Sequence, residues 1–282
     1  MTERYFNTRL TQMMGIQYPI IQGAFAHGGT SAIASAVSDA GGLGIITSIA
    51  FKSPQAFRED IMKAKSETSK PFGVNFTLWK GVIDNAYQEP YVKAAIDEGV
   101  KIAFTSGYDG SFIGALLKEA GCLWIHKCAT LNHAVKIAEK GADAVVIVGR
   151  EGTGYKNDAQ NTTLINITVG RRRINIPLIA AGGIGDARGL VAALSMGASG
   201  IYMGTAFMAT KEYPAPEKFK QQMVKRDVSD SKFIQKILNM DHGASPSLAC
   251  GVIQSIPTVK EFIETMIREA YGVIEELKSS IS

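Results

Sequence analysis

The sequence predicts an α/β protein, a (β/α)8 TIM barrel with a C-terminal helical extension, and three observations lead to this fold. Eight short apolar runs alternate with helical segments from near the start of the chain to residue 210. Runs such as 145–148 are apolar throughout, which is typical of parallel strands buried on both faces. Glycine is abundant, with 29 among 282 residues, which suits many strand-to-helix turns. Eight regular units favour a closed barrel over an open doubly wound sheet, and no G-x-G-x-x-G follows the first run.

The predicted elements follow one another at regular intervals. Predicted strands span residues 19–23, 43–46, 72–75, 101–104, 123–126, 144–148, 177–181 and 200–203. Between them the pattern predicts helices, including one capped by Thr30 or Ser31 and others over 54–66, 131–140 and 186–196. We therefore assign residues 1–210 to the barrel.

Residues 211–282 differ from the barrel in character. The stretch 211–241 is charged and contains two prolines, which predicts an exposed excursion. Residues 257–278 then read as a long amphipathic helix, which begins with a capping box formed by Thr258 and Glu261. We expect this helix to pack on the barrel or against a second subunit, so a homodimer stays open.

Composition excludes several classes of function. The formal net charge of +4 is too small to indicate nucleic-acid binding. No apolar run is long enough to cross a membrane, and the polar first residues do not resemble a signal peptide. Three cysteines without a C-x-x-C pair do not form a disulfide framework, and no His/Cys/Asp/Glu spacing predicts a metal site. We expect a cytoplasmic protein that acts on a small molecule.

Two glycine-containing stretches predict a phosphate site. Gly182 and Gly183 follow the seventh strand directly, and Asp186 is placed to cap the next helix. Glycines let backbone N–H groups approach a phosphate closely. Gly204 and Thr205 end the eighth strand and open another helix, whose free N–H groups favour an anion. Many α/β barrels bind phosphate with the loops after these two strands.

The chain resembles the nitronate monooxygenase (2-nitropropane dioxygenase) family and the related flavin-dependent enoyl-acyl carrier protein reductases. The matching stretches span residues 19–23, 36–44, 141–146, 179–184, 203–212 and 249–253. The resemblance implies a barrel that carries non-covalent FMN, with the phosphate held by Gly182, Gly183, Gly204 and Thr205.

The same resemblance assigns further residues to the flavin. It places Gly23 and Ala24 beside the isoalloxazine ring and gives Asn75 a polar contact with it. Lys127 matches a lysine position found in part of the family, where a cation stabilises the anionic reduced ring. Asn75 as a turn cap and Lys127 as a solvated strand end remain alternatives. His126 should point away from Lys127, because adjacent strand residues face opposite sides.

The loop after the sixth strand departs from the family pattern. Typical members carry a glutamate followed, after three small residues, by a histidine that is the proposed base or acid. Here Glu151 is followed by Tyr155 at that position. A phenol with a pKa near 10 does not normally take a proton at neutral pH, but it can donate a hydrogen bond or act as an acid. His27, in the loop after the first strand, is the alternative catalytic imidazole.

Three functions remain open from the sequence. The first is an FMN-dependent monooxygenase that oxidises alkyl nitronates with oxygen. The second is a reductase that uses NADH or NADPH to reduce an enoyl thioester or a quinone, for which Tyr155 is a suitable proton donor. The third is a phosphate-binding barrel without flavin, such as an isomerase or a lyase.

Overall fold

The computed structural model describes residues 6–79, 86–239 and 245–281. Eight strands, β1 to β8, span Ile20–Gln22, Gly44–Thr47, Phe72–Thr77, Ile102–Ser106, Leu123–Cys128, Ala144–Val148, Leu178–Ala181 and Gly200–Met203. The α-helices of the described residues, α1 to α12, span Arg9–Met14, Ser31–Asp39, Pro54–Glu67, Glu89–Asp97, Ser111–Glu119, Leu131–Glu139, Thr163–Arg173, Ala187–Ser195, Thr205–Met208, Glu217–Val224, Ser231–Leu238 and Val259–Ser279.

The strands form one parallel sheet that curls into a barrel, which confirms the predicted fold class. Their order is β1-β8-β7-β6-β5-β4-β3-β2, and each neighbouring pair is parallel. A parallel bridge between Ile21 and Leu43 brings β1 next to β2, so the ring is nearly closed. The carboxyl ends of all eight strands therefore meet at one face, where α/β barrels place their active sites.

Side chains alternate between the inside and the outside of the barrel. The interior cluster contains Ile21, Ile45, Phe104, Val146 and Ile179 from five different strands. Leu10 and Met14 of α1 belong to the same cluster, so this helix, which the sequence pattern did not predict, closes the amino-terminal end. The outward-facing residues join a second, larger core beneath the helices.

Three strands extend further toward the carboxyl face than the apolar pattern predicts. β3, β4 and β5 end at Thr77, Ser106 and Cys128, whereas the apolar runs end two or three residues earlier. The added residues are mostly polar, and hydropathy alone therefore misses them. Three of them, Thr77, Ser106 and Lys127, line the cavity described below.

The helix caps follow the sequence closely. Asp186 accepts a hydrogen bond from the Gly189 amide and caps α8, as predicted. Thr258 and Glu261 form the predicted capping box of α12, which packs on α8 and α2. Among the described residues, no helix combines the length and the apolarity needed to cross a bilayer.

Candidate active site

A cavity of about 590 Å³ opens at the carboxyl ends of the barrel strands. Residues from the ends of all eight strands, or from the loops that follow them, contribute to its wall. Of the predicted site residues, nine line it: Gly23, Ala24, His27, Lys127, Tyr155, Gly182, Gly183, Gly204 and Thr205. Asn75 lies outside the lining set, two residues before Thr77 on the same face of β3.

Gly182 and Gly183 form one end of the cavity, and the backbone requires glycine at both. Their φ angles are +94° and +75°, in the left-handed region that L side chains rarely adopt. A Cβ at Gly182 would also lie 3.0 Å from the backbone N and O of Gly149. The loop after β7 therefore packs backbone against backbone on the loop after β6.

Gly204 differs from Gly182 because its protein surroundings do not demand a glycine. Its φ is −91°, and a Cβ there would contact only the Phe25 ring, at 3.9 Å. That Cβ would point into space beside the cavity. The absence of a side chain at Gly204 thus leaves room for a ligand rather than for another part of the chain.

Gly23 has the opposite reason for being glycine. A Cβ at Gly23 would lie 2.9 Å from the backbone of Gly204, and its N–H donates to Met203 O at 2.7 Å. Next to it, the Ala24 N–H donates to the buried Tyr202 hydroxyl at 2.6 Å. Burial raises the pKa of Tyr202 well above its ordinary value, so this hydroxyl stays neutral.

Thr205 anchors residues 245–247 across one end of the cavity, which we call the phosphate end because the predicted phosphate-binding glycines form it. Its Oγ1 lies 2.8 Å from Ser247 Oγ and accepts the Ser247 N–H at 3.0 Å. Ser245 and Ser247 line the cavity beside it. Sequence reasoning missed both serines, because they lie more than 40 residues from the strand that they cover.

Glu151 has a structural role that the sequence did not indicate. Both of its carboxylate oxygens accept the Thr163 N–H at 3.1 Å, at the start of α7. The Thr163 hydroxyl contacts the carbonyls of Ala181 and Gly182 at 3.0 and 2.8 Å. This network fixes the loop after β6 against the glycine pair.

Buried polar atoms without partners lie at and below the cavity floor. Thr47 lines the cavity, and its Oγ1 has no hydrogen-bond partner among the described residues. Asn75 is fully buried, and its Nδ2 donates to Thr77 Oγ1 at 3.1 Å, while its Oδ1 has no partner in the described chain. Buried polar atoms in native proteins are almost always satisfied, so these two point to a bound polar group.

Lys127 projects into the cavity from β5, on the strand face opposite His126. Within the part of the chain that the structure describes, its ammonium makes no hydrogen bond or ion pair. Burial lowers the pKa of Lys127 to about 8. An unpaired cation in such a wall favours an anionic ligand.

Tyr155 forms part of the cavity mouth, but its hydroxyl is already engaged. The hydroxyl donates to Leu78 O at 3.0 Å, and the ring contacts Tyr108 and Trp79 edge to face, at 5.1 and 6.3 Å between centroids. Burial raises the pKa of Tyr155 to about 12. Tyr155, at the position where the family pattern has a histidine, is therefore a neutral residue of the cavity wall. It donates its proton to a backbone carbonyl instead of presenting it to the cavity.

His27 lies at the cavity rim, in an exposed turn after β1. Tyr213 lies against Gly28 of the same turn and packs on Phe25 at 4.9 Å between ring centroids, and residues 213–216 line the cavity. The start of the charged excursion thus covers the site. His242, a further imidazole in the sequence, lies outside the described residues.

Comparisons with known proteins place this chain in a family. The family model for nitronate monooxygenase matches residues 7–245. A (3aS,4S,5R,7aS)-5-hydroxy-7a-methyl-1-oxo-octahydro-1H-indene-4-carboxyl-CoA dehydrogenase from Rhodococcus jostii is 34% identical over 83% of this chain, which spans 64% of that relative's length. A probable nitronate monooxygenase from Staphylococcus haemolyticus is 32% identical over 80% of this chain and 74% of the relative.

A solved structure extends the similarity to almost every residue. FabK from Thermotoga maritima superposes with a TM-score of 0.87 and 30% sequence identity, and the match covers 98% of this chain and 100% of that one. Together with the cavity at the carboxyl ends of the strands, these similarities indicate the class of flavin-dependent oxidoreductases. Within that class, the chain belongs to the nitronate monooxygenase family. The flavin-free isomerase or lyase is thereby set aside.

The residues present fit a flavin. Gly182, Gly183 and Gly204 leave backbone and open space at the phosphate end, and a Cβ would fill the space at Gly204. Thr47 Oγ1 and Asn75 Oδ1 are buried polar atoms without partners among the described residues, and a polar edge of the flavin ring would satisfy them. Lys127 supplies the cation that the family pattern places near the ring.

Proposed function

We propose that this protein is an FMN-dependent oxidoreductase that reduces enoyl thioesters of the coenzyme A type, with NADH or NADPH as the electron donor. One observation carries the proposal: a basic groove adjoins the flavin cavity. Phe219 and Ser245 line both spaces, so the groove and the cavity are neighbours with a common wall. A ligand with a reactive head and a phosphate-bearing tail fits this pair of spaces.

The groove lies between α10, α11 and residues 245–250. It has a volume of about 510 Å³ and includes Arg226, Lys232 and Lys236 against one carboxylate, Asp230. Asp230 accepts the Lys232 N–H at 2.9 Å as the cap of α11, and the Arg226 guanidinium lies 4.9 Å from the Phe233 ring centroid. Lys232 and Lys236 are exposed on α11, and Arg226 is exposed in the connection that precedes it. Such cations are suited to the phosphates of a nucleotide carrier.

Each chain residue at the cavity has a distinct task. Gly182, Gly183 and Gly204 hold the FMN phosphate with backbone N–H groups, and Thr205 keeps residues 245–247 in place over it. Lys127 balances negative charge at the ring and at the substrate carbonyl. A flavin bound there supplies the two-electron transfer.

The cavity wall then excludes water and supplies no strong base. Tyr213, Phe219 and Trp79 make the mouth largely apolar. Tyr155 is neutral and bonded to Leu78 O, and His27 is exposed at the rim. A substrate that needs no deprotonation of an unactivated carbon suits these residues better than a neutral nitroalkane does.

The relatives support the same substrate class. The similarity to the Rhodococcus jostii coenzyme A thioester dehydrogenase covers 83% of this chain. The similarity to FabK extends over nearly the whole chain. The basic groove therefore moves an acyl thioester ahead of an alkyl nitronate as the substrate class.

The test compares a coenzyme A thioester with the N-acetylcysteamine thioester of the same acyl group, which lacks the nucleotide. We expect the double substitution Arg226→Glu with Lys232→Glu to raise KM for the coenzyme A thioester at least tenfold and to leave the short thioester unaffected. Lys218→Glu with Lys225→Glu is the matched control, because these exposed lysines change the charge equally but do not line the groove. Equal losses with both thioesters, or no turnover of either by the unmodified protein, would contradict the proposal.

An alkyl nitronate remains the second candidate, because Lys127 places in the cavity wall a cation that has no partner among the described residues. A nitronate arrives deprotonated and needs no base, which suits the neutral Tyr155. Oxygen consumption with a preformed nitronate measures this activity directly. Anaerobic addition of NADH or NADPH separates the candidates further, since bleaching of the yellow colour is expected only for the thioester enzyme.

A further inference from the structure

Three potential ligands for a metal ion meet behind β5, on the side away from the flavin cavity. His126 and Cys128 are two residues apart on the strand and therefore face the same side, opposite Lys127. His133 lies in the first turn of α6, where its N–H donates to the capping Thr130 hydroxyl at 3.3 Å. One ring nitrogen of each histidine and the Cys128 Sγ all lie within 4.8 Å of one another.

One of these side chains carries an unused polar atom. His126 is fully buried, and its Nδ1 lies 2.7 Å from Thr105 Oγ1, which also accepts the Trp124 indole N–H at 2.7 Å. The other nitrogen, Nε2, is buried without a hydrogen-bond partner among the described residues. A buried polar atom of this kind costs free energy unless a ligand or an ion satisfies it.

We propose that His126, Cys128 and His133 form a binding site for a divalent cation of the zinc type. Two imidazoles and a thiolate are the ligand chemistry that Zn²⁺ prefers, and three protein ligands leave a fourth position for water. Tetrahedral bonds of about 2.0–2.3 Å place ligand atoms about 3.5 Å apart. Side-chain rotation of the half-buried His133 brings the three atoms from 4.8 Å toward that spacing.

The surroundings prepare the ligands in the state that a metal needs. Cys128 binds a metal as the thiolate, so its proton is released to solvent on binding. The Thr105 hydroxyl is placed to accept the Nδ1–H of His126, which directs the Nε2 lone pair toward the ion.

This site does not touch the flavin cavity, and its consequence is mechanical. The ion ties the end of β5 to the start of α6, directly behind the backbone that carries Lys127. The cation therefore fixes the strand end that presents the lysine. The sequence pattern H-x-C-x4-H predicted no metal site, because the three ligands converge only through the strand end and the capped helix start.

The test uses the flavin-loaded full chain without a histidine tag. After treatment with a chelator, the protein is titrated with Co²⁺, whose d–d absorption lies to the red of the flavin bands, and zinc content is measured after Zn²⁺ addition and desalting. We expect one equivalent of metal per chain. Cys128→Ser and His133→Gln should weaken binding at least tenfold, whereas Cys122→Ser should not. Cys122 is a matched control, because it is a buried thiol that donates to Val100 O instead.

Each outcome decides the matter. A stoichiometric Co²⁺ spectrum that is lost in Cys128→Ser or His133→Gln and kept in Cys122→Ser supports the site. Retention of less than one-tenth equivalent of zinc by the unmodified protein would overturn it, as would equal binding by Cys128→Ser. Should Cys128→Ser not fold, His133→Gln alone carries the test, because the His133 side chain is only half-buried and flavin content reports the folding of this variant.

Discussion

At the scale of single residues, Lys127 is the charged group whose removal should weaken FMN binding most directly. Replacement by Met keeps the aliphatic stem and removes a cation that has no partner in the described chain. A hydrogen bond to a charged group contributes about 1.5–3 kcal/mol, so Kd for FMN should rise roughly ten- to a hundredfold in Lys127→Met. Fluorescence titration of the apoprotein with FMN measures this change.

The control for Lys127 is Lys156→Met, since Lys156 donates to Arg150 O instead of facing the cavity. Its FMN affinity should match that of the unmodified protein. An unchanged Kd in Lys127→Met would show that the ammonium does not contact the flavin.

Substitutions at two glycines distinguish a glycine that leaves room for a ligand from a glycine that packs against the backbone. Gly204→Ala places a methyl group where the protein has only the Phe25 ring at 3.9 Å, so stability should fall by no more than about 0.5 kcal/mol. FMN affinity should nevertheless fall markedly, because the methyl group enters the phosphate space. Urea unfolding of the apoprotein and FMN titration measure the two effects separately.

In Gly23→Ala, the loss of stability should be large and the loss of FMN affinity small. The added Cβ would lie 2.9 Å from the Gly204 backbone, so unfolding free energy should fall by about 1–3 kcal/mol through strain. Similar behaviour of the two variants in both measurements would refute the distinction between them.

Tyr155 leads to a prediction about pH. Its pKa is raised to about 12, so the phenol stays protonated and neutral throughout the neutral and moderately alkaline range. Its proton is donated to Leu78 O. Tyr155→Phe should therefore leave the shape of the kcat profile between about pH 6 and about pH 10 unchanged, and cost about 1 kcal/mol of stability.

Stopped-flow rates across that range are the measurement, and Tyr108→Phe is a matched control at the same mouth. A loss of kcat by a hundredfold or more in Tyr155→Phe alone would instead identify Tyr155 as the proton donor.

At the scale of elements, hydropathy predicted the strands well and the covering segments poorly. The eight strands appear where apolar runs predicted them, because each strand is buried on both faces. Residues 211–241 were expected to form an exposed excursion, on account of charge and proline content. Pro214 and Pro216 are indeed exposed, but residues 213–216 also line the cavity, which the sequence did not indicate. Proline and charge describe the local chain, whereas the contact of Tyr213 with Phe25 depends on the whole fold.

The candidate site shows the same division. Gly182, Gly183, Gly204 and Thr205 were predictable, because glycines at strand ends act through the local backbone. The Glu151–Thr163 network and the Ser247 contact were not predictable, because their partners lie 12 and 42 residues away. The His126–Cys128–His133 cluster escaped notice for a related reason, since it depends on which strand face each side chain takes.

At the scale of the whole molecule, the curling of the sheet into a barrel brings the carboxyl ends of all eight strands around one bound ligand. The phosphate end joins the loops after β6, β7 and β8, while Lys127 and Thr47 reach the same cavity from β5 and β2. A ligand that contacts Thr47, Lys127 and the glycine loops together therefore stabilises distant parts of the barrel. Flavin binding and global stability should be coupled.

This coupling gives the last prediction, on flavin removal. A ligand at one hundred times its Kd stabilises the folded state by about 2.7 kcal/mol, so FMN should raise Tm of the apoprotein in proportion to the logarithm of its concentration. Riboflavin lacks the phosphate and leaves the glycine loops unfilled, so it should raise Tm less at equal concentration. Gly204→Ala should narrow the difference between the two ligands. Differential scanning calorimetry provides the measurement, and equal shifts with FMN and riboflavin would mean that these loops do not bind the phosphate.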